Sequence, residues 1–188
     1  MRIKSGLMSA LLLVAMSHAY AEEVVKIGYA GPLTGSVAHL GKDAENGVRV
    51  AIDEANDAEI KIAGEPVRFV LDSIDDQADP KTAVLVAQRL VDDGVAGMVG
   101  HLTSGATVPA SRVYANAGVP QISPSATNPQ LTRQGFATAF RVIGDDRDVG
   151  AVIANYSLDT LHVKRIAVID DRTAYGQGLA DEIGRAHV

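Results

Sequence analysis

Residues 96–129 read AGMVGHLTSGATVPASRVYANAGVPQISPSATNP, and the order of their parts decides the fold. Two short apolar, β-prone segments, Ala96–Val99 and Val119–Ile122, each run into a loop of small hydroxyl residues. Between them Ala106–Asn116 reads as a helix, with Gly118 beyond its end where a left-handed terminating glycine belongs. Strand, loop, helix and strand at this spacing imply parallel strands joined by a right-handed crossover. In an open sheet of that kind, ligands sit in a crevice outside the carboxyl ends of the strands. The loops Gly100–Thr107 and Ile122–Pro129 both fall at such ends, so both are expected to line one crevice.

The same alternation extends in both directions. Val24–Ala30 is an apolar strand closed by Gly31-Pro32-Leu33-Thr34-Gly35. From Gly41 to Asn56, Ala44, Val48, Ala51, Ile52 and Ala55 recur at spacings of three and four and predict an amphipathic helix. Ala63-Gly64-Glu65-Pro66 turns the chain into a strand Val67–Leu71, followed by an acidic loop, Asp72–Asp79, read as solvated. Pro80 takes a favoured first helical position behind Asp79 as cap. That helix runs to Asp92, with Ala83, Val84, Val86, Ala87, Leu90 and Val91 facing inward. Beyond the second hydroxyl loop, Phe136–Ile143 is extended and Gly144–Asp148 is a charged turn that suits a domain boundary. A helix Asp148–Thr160, a strand Arg165–Asp170 and a helix from Tyr175 then begin the βα scheme again. The fold class is therefore α/β with a doubly wound parallel sheet. Residues 22–143 form most of one lobe and 144–181 start a second.

The first 21 residues have the form of a cleaved secretory signal. Arg2 and Lys4 supply charge, Leu7–Met16 an apolar stretch, and Ala19-Tyr20-Ala21 a small-residue cleavage site. The apolar stretch is well short of the roughly 20 residues a spanning helix needs, so an exported product is expected. Formal charge is −6, of which Arg2 and Lys4 contribute +2, leaving −8 on the remainder. No basic cluster follows a phosphate backbone, which argues against a nucleic-acid partner. With no cysteine, an oxidising location brings no disulfide. Glu182–Val188 resembles the in-frame translation of a common short-read sequencing adapter, the alternative being a genuine, slightly basic helix end. Residues 182–188 are accordingly expected to be foreign, with the natural chain continuing past Asp181.

The chemistry points to holding rather than transforming. Ser104 is placed to cap the helix behind it, and a helix N-terminus offers free N–H groups and a positive dipole end to an anion. Ser125 and Thr127 lie in a Pro-punctuated loop whose hydroxyls and carbonyls can face the same crevice. Such groups supply donors for a carboxylate and acceptors for an ammonium without a charged side chain. Each hydroxyl alone reads more readily as an ordinary cap or turn residue; the pair of loops is the more specific signal. His39 and His101 lack partners at metal-ligand spacing, and the aspartates 72, 75, 76 and 79 lack the glycine and glutamate of a calcium loop. No dinucleotide fingerprint, nucleophile elbow or P-loop is present. No metal and no cofactor are expected.

Several runs together resemble the periplasmic branched-chain amino-acid-binding proteins of ABC importers, which have a bilobal type I fold. They are the Gly-Pro-Leu-Thr-Gly start, Asp75–Lys81, Val99–Ser104, Ile122–Thr127 and Tyr175–Ala180, and the likeness spans Val24–Asp181. The resemblance implies that Ser104 and Thr127 hold a ligand carboxylate. It implies that the Ser125 carbonyl and Thr127 hydroxyl accept from an ammonium, with Ala126 between them. It also implies that Tyr175 closes over the ligand from the second lobe. Leu40 and Thr103 fall at the pocket rim. Leu40 stands where some members carry an aromatic residue, which leaves side-chain preference open. Ala78 and Thr103 stand where some members have a disulfide. The family chain is about twice this length.

The expected activity is that of an extracytoplasmic solute-binding component of an ABC importer for leucine, isoleucine, valine or related aliphatic amino acids. Its partners would be that small molecule and the membrane permease and ATPase subunits, and the protein itself would be a monomer in the periplasm. A receptor domain sensing small amides or amino acids is the alternative. An α/β hydrolase would need a base near Ser104, for which only His101 is close in sequence. No enzyme activity is expected.

Overall fold

The computed structural model describes residues 23–186; the expected signal, 1–21, lies outside them, as do His187 and Val188 of the expected foreign tail. The described chain runs β1 (Glu23–Gly31), α1 (Ala38–Asp57), β2 (Lys61–Ile62), β3 (Glu65–Asp75), α2 (Pro80–Asp92), β4 (Gly97–Gly100) and α3 (Ser104–Ala117). It continues with β5 (Gln121–Ser123), β6 (Ala139–Arg141), α4 (Asp146–Asn155) and α5 (Ala174–Arg185).

One six-stranded sheet has the order β2-β3-β1-β4-β5-β6. Only β2 against β3 is antiparallel; every other pairing is parallel. After β1 the chain moves to β3 on one side, then crosses back to β4 on the other. The carboxyl ends of β1 and β4 are thus a topological switch point, where a doubly wound sheet opens a crevice. Ala30 pairs in register with Gly100 there, so the first hydroxyl loop leaves the sheet at that crevice.

The core follows the helical spacing read from α2. Ala83, Val86, Ala87 and Leu90 are buried with Ala30, Val95, Met98, Ala106, Ala110 and Tyr114. Asp79 caps α2 as expected, its carboxylate accepting from the Lys81 and Thr82 amides at 3.0 and 2.7 Å. Gly118 closes α3 at φ 72°. By contrast α1 is only partly covered: Gly41 is its single buried residue, and Ala51, expected inward, is exposed.

Three local expectations are corrected. Arg165–Asp170 forms no strand, and Ile169 is 94% exposed. A strand exists through its ladder, and no described strand runs beside this segment. The stretch Asp72–Asp79 is not a solvated loop: Asp72–Asp75 complete β3, and Asp76 is fully buried. The helix α3 begins at Ser104 rather than Ala106, with Thr103 in the cap position at φ −86°, ψ 146°. No helix among the described residues is long and apolar enough to cross a membrane.

Candidate functional site

The two hydroxyl loops are sewn together along three successive carbonyls. The Gly100 carbonyl accepts from Gln121 Nε2 at 3.0 Å, that of His101 from Ser123 Oγ at 3.4 Å, and that of Leu102 from Ser125 Oγ at 2.7 Å. Adjacent parallel strands diverge where the ladder stops, so unpaired carbonyls at a strand end need such partners. Ser123 Oγ also accepts from the Ala126 amide at 3.0 Å, which turns the second loop back over the sheet.

Ser104 is not the helix cap that its position suggested. As the first residue of α3 it is 2% exposed, and its hydroxyl accepts from the Asn128 amide at 3.3 Å. The cap residue is Thr103, whose own side chain makes no capping bond. The reason is geometric: the cap is the last extended residue before the helix, and Thr103 is in that conformation. Ser104 therefore ties the start of α3 to the second loop.

Ser104, Ser125, Ala126 and Thr127 are brought to one place by these bonds. Two hydroxyls in it make no bond within the loops: Thr103 Oγ1 is buried without a hydrogen-bond partner, and Thr127 Oγ1 is buried with none in bonding geometry but lies beside the Asp146 carboxyl. A buried polar atom left unpaired costs about 1–3 kcal/mol, which makes these two the natural donors and acceptors for a bound group.

Below the second loop lies a charged layer that the sequence reading missed. Arg141, 7% exposed in its side chain, donates to the carbonyls of Ala126 and Asn128 at 3.4 and 3.1 Å and pairs with Asp145 at 3.3 Å. The Asp145 carboxylate also caps α4 through the Arg147 amide. Asp146 donates its amide to the Thr127 carbonyl at 2.9 Å. Its carboxyl is pushed above the usual range chiefly by burial, with the Asp145 and Glu182 charges adding and Thr127 and Arg141 opposing. Asp146 Oδ2 is likewise buried without a partner in bonding geometry, although the Thr127 hydroxyl is near enough to act on it. Arg141 lay unremarked in the expected extended segment Phe136–Ile143, and Asp146 had only a generic charged turn as its sequence signal.

A match to the family model described as periplasmic binding protein covers residues 24–187. The chain belongs to the periplasmic binding protein family. It is 44% identical over 178 residues to the Leu/Ile/Val-binding protein homolog 1 of Brucella abortus, covering 95% of this chain and 47% of that one. It is 38% identical over 177 residues to the leucine-specific-binding protein of Salmonella typhimurium, with 94% and 47% covered. The crystal structure of the branched-chain amino acid transporter substrate-binding protein LivJ from Streptococcus pneumoniae, in complex with isoleucine, superposes with a TM-score of 0.77. The identity there is 32%, over 88% of this chain and 47% of LivJ. The chain spans about half the length of the curated relatives it matches.

As a periplasmic binding protein it carries its remaining expected site residues on separate elements. Tyr175 is the second residue of α5 and 48% exposed. The neighbouring Ala174 carbonyl accepts from Asn128 Nδ2 at 3.0 Å, so the start of α5 is tethered to the second hydroxyl loop. Leu40 is 50% exposed in the first turn of α1. That turn is pinned by Tyr29, whose hydroxyl donates to the Gly41 carbonyl at 2.6 Å. Burial first, then the Asp76 and Glu45 charges, pushes the Tyr29 phenol well up, so it stays a donor. Among the described residues no cluster of three metal-binding side chains occurs. Two concavities, of about 370 and 290 Å³, lie elsewhere: one beside α4 and α5 at Arg133 and Arg147, the other between α1 and β3 at Arg49 and Arg68.

Proposed function

We propose that this protein is the extracytoplasmic solute-binding component of an ABC importer, and that its solute is a branched-chain or related aliphatic amino acid. The observation that carries this reading is the pair of sewn hydroxyl loops at the carboxyl ends of β4 and β5, in which the Thr103 and Thr127 hydroxyls are buried and bond to neither loop. A zwitterion needs donors at one end and acceptors at the other, and hydroxyls with peptide groups serve both. In this reading Ser104 and Thr127 hold the carboxylate, and Ser125 and Thr127 accept from the ammonium. Ala126 spaces the two, Tyr175 covers the ligand, and Leu40 and Thr103 shape its entrance.

Relatives named for leucine, isoleucine and valine support the solute class. We assign no catalytic step, because the one histidine close to Ser104 in sequence is turned away into the core. Export by a cleaved signal at 1–21, residence in the periplasm, a monomeric state and service to membrane permease and ATPase subunits complete the proposal. The division into a first lobe at 22–143 and the start of a second at 144–181, with a foreign tail at 182–188, belongs to it too.

Calorimetric titration of the intact protein with leucine, isoleucine, valine and short-chain amides tests the reading. Saturable heat with at least one branched-chain amino acid is expected. Neither heat nor a thermal shift with any amino acid overturns it, and saturation by amides alone favours the sensing receptor.

A further inference from the structure

The backbone that carries the first hydroxyl loop is gripped from behind by three polar side chains with no exposure to solvent. His101, Asp76 and Tyr114 are all 0% exposed. His101 Nδ1 is 2.6 Å from Asp76 Oδ2, and Nε2 is 3.1 Å from the Tyr114 hydroxyl. Asp76 Oδ1 accepts from the Ala78 amide at 2.8 Å, and the Asp76 amide donates to the Gly31 carbonyl at 3.1 Å. The cluster thus joins the ends of β1, β3 and β4, the approach to α2, and the middle of α3.

Proton bookkeeping gives the chain a direction. A carboxylate only accepts, so Nδ1–H donates to Asp76. In a neutral imidazole Nε2 is then the acceptor, and the Tyr114 O–H donates to it. Burial, then the Asp76 charge, pushes the Tyr114 phenol up, consistent with a hydroxyl that keeps its proton. Every strong donor and acceptor of the three side chains is matched in this arrangement, and a fully satisfied buried network fixes one geometry more sharply than apolar packing does.

What that geometry fixes is the ligand surface. The carbonyl of the same His101 accepts from Thr107 Oγ1 at 2.9 Å and from Ser123 Oγ at 3.4 Å. Thr107 Oγ1 also donates to the Thr103 carbonyl at 2.7 Å, and Ser123 Oγ in turn holds the Ala126 amide. Rotation of the His101 peptide would therefore move both hydroxyl loops together. We propose that Asp76, His101 and Tyr114 form a positioning relay that sets the separation of the two ligand-holding loops without touching the ligand. The proposal rests on the amino-acid-binding reading above.

The test uses the intact protein with leucine as probe, at a temperature where each variant is fully folded. Tyr114→Phe removes one hydroxyl and is expected to raise the leucine Kd about tenfold. Asp76→Asn should act in the same direction. Ser111→Ala, which removes another buried hydroxyl one turn earlier in α3, should stay within about twofold. In the unliganded state, amide resonances of both loops, residues 103–105 and 125–127, should shift in Tyr114→Phe, a response that plain loss of stability does not produce. Wild-type affinity with unshifted loop amides in Tyr114→Phe and Asp76→Asn overturns the relay. If the wild-type protein takes up no leucine, the binding reading falls, and the amide shifts alone decide the relay: shifts in both loops support it, shifts confined to α3 overturn it. Should neither variant fold, nitrogen NMR of wild-type His101 decides: a proton on Nδ1 with Nε2 bare supports the relay, and any proton on Nε2 overturns it.

Discussion

Replacing Gly100 by alanine probes the point where sheet and ligand loop meet. Gly100 ends β4 opposite Ala30 of β1, with φ +126°. A Cβ there would overlap the Ala30 carbonyl oxygen and stand 3.3 and 3.4 Å from the Ala30 carbonyl carbon and amide nitrogen. These are main-chain atoms of a strand paired on both sides, so they have no rotamer by which to yield. Holding an L-residue in that backbone region costs about 1–3 kcal/mol. Relieving overlap in a packed interior costs roughly another 1–3 kcal/mol. The expected destabilisation is therefore about 2–6 kcal/mol, and with a urea m-value of ~2 kcal/mol per molar the midpoint should fall by roughly 1–3 M. Gly47→Ala is the control, because nothing lies within 4 Å of its added Cβ in α1. A helix-interior alanine there should gain about 0.5–1 kcal/mol. Urea unfolding followed by circular dichroism reads both. A Gly100→Ala midpoint equal to wild type would refute the close approach of β1 and β4, and with it the switch-point geometry of the crevice.

Two further outcomes follow from the packing and the charges. Leu90 is fully buried, with its δ-carbons 3.4–3.5 Å from where a Gly28 side chain would begin. Gly28 has no side chain to move into the hole and the remaining neighbours belong to the packed core, so Leu90→Ala should cost about 3–5 kcal/mol. Leu85→Ala on the opposite, 72% exposed face should stay within about 0.5 kcal/mol in the same urea assay; equal costs would contradict the assigned face of α2. For Asp146, a carboxyl raised in the folded state binds its proton more tightly folded than unfolded. Its contribution to stability is then lost as pH rises from the ordinary value of 3.8 through the raised one. Asp146→Asn should be more stable than wild type at neutral pH, and urea midpoints should converge as pH falls below 3.8; a variant less stable at pH 7 would show that the carboxylate is held favourably.

The positions of these effects show what was legible along the chain. The cap at Asp79, the inward face of α2 and the terminating Gly118 rest on contacts within a few residues, and each stands where the local pattern puts it. Ser104, Ser125, Ala126 and Thr127 were legible as a group because each loop directly follows a strand, and parallel neighbours carry both loops to the same end of the sheet. The role of Ser104 was not. Whether a hydroxyl caps its own helix or binds another loop depends on where that loop arrives, here Asn128, 24 residues on.

The polar interior shows the same limit more sharply. Asp76, 25 residues before His101, looked like one of several carboxylates in a solvated loop. Burial separated it from Asp75, which instead accepts from the Leu33 amide at 2.8 Å. Arg165–Asp170 failed in the opposite sense: its residues favour a strand, but a strand needs a neighbour's backbone, which no local pattern supplies. By itself, then, the sequence determined periodicity, caps, turns and the strand-then-hydroxyl order of residues 96–129, because short-range backbone and solvation preferences write those. The tertiary structure alone decided the partners of Ser104, His101, Arg141 and Asp146, because hydrogen bonds between distant segments are set by where sheet order brings them together.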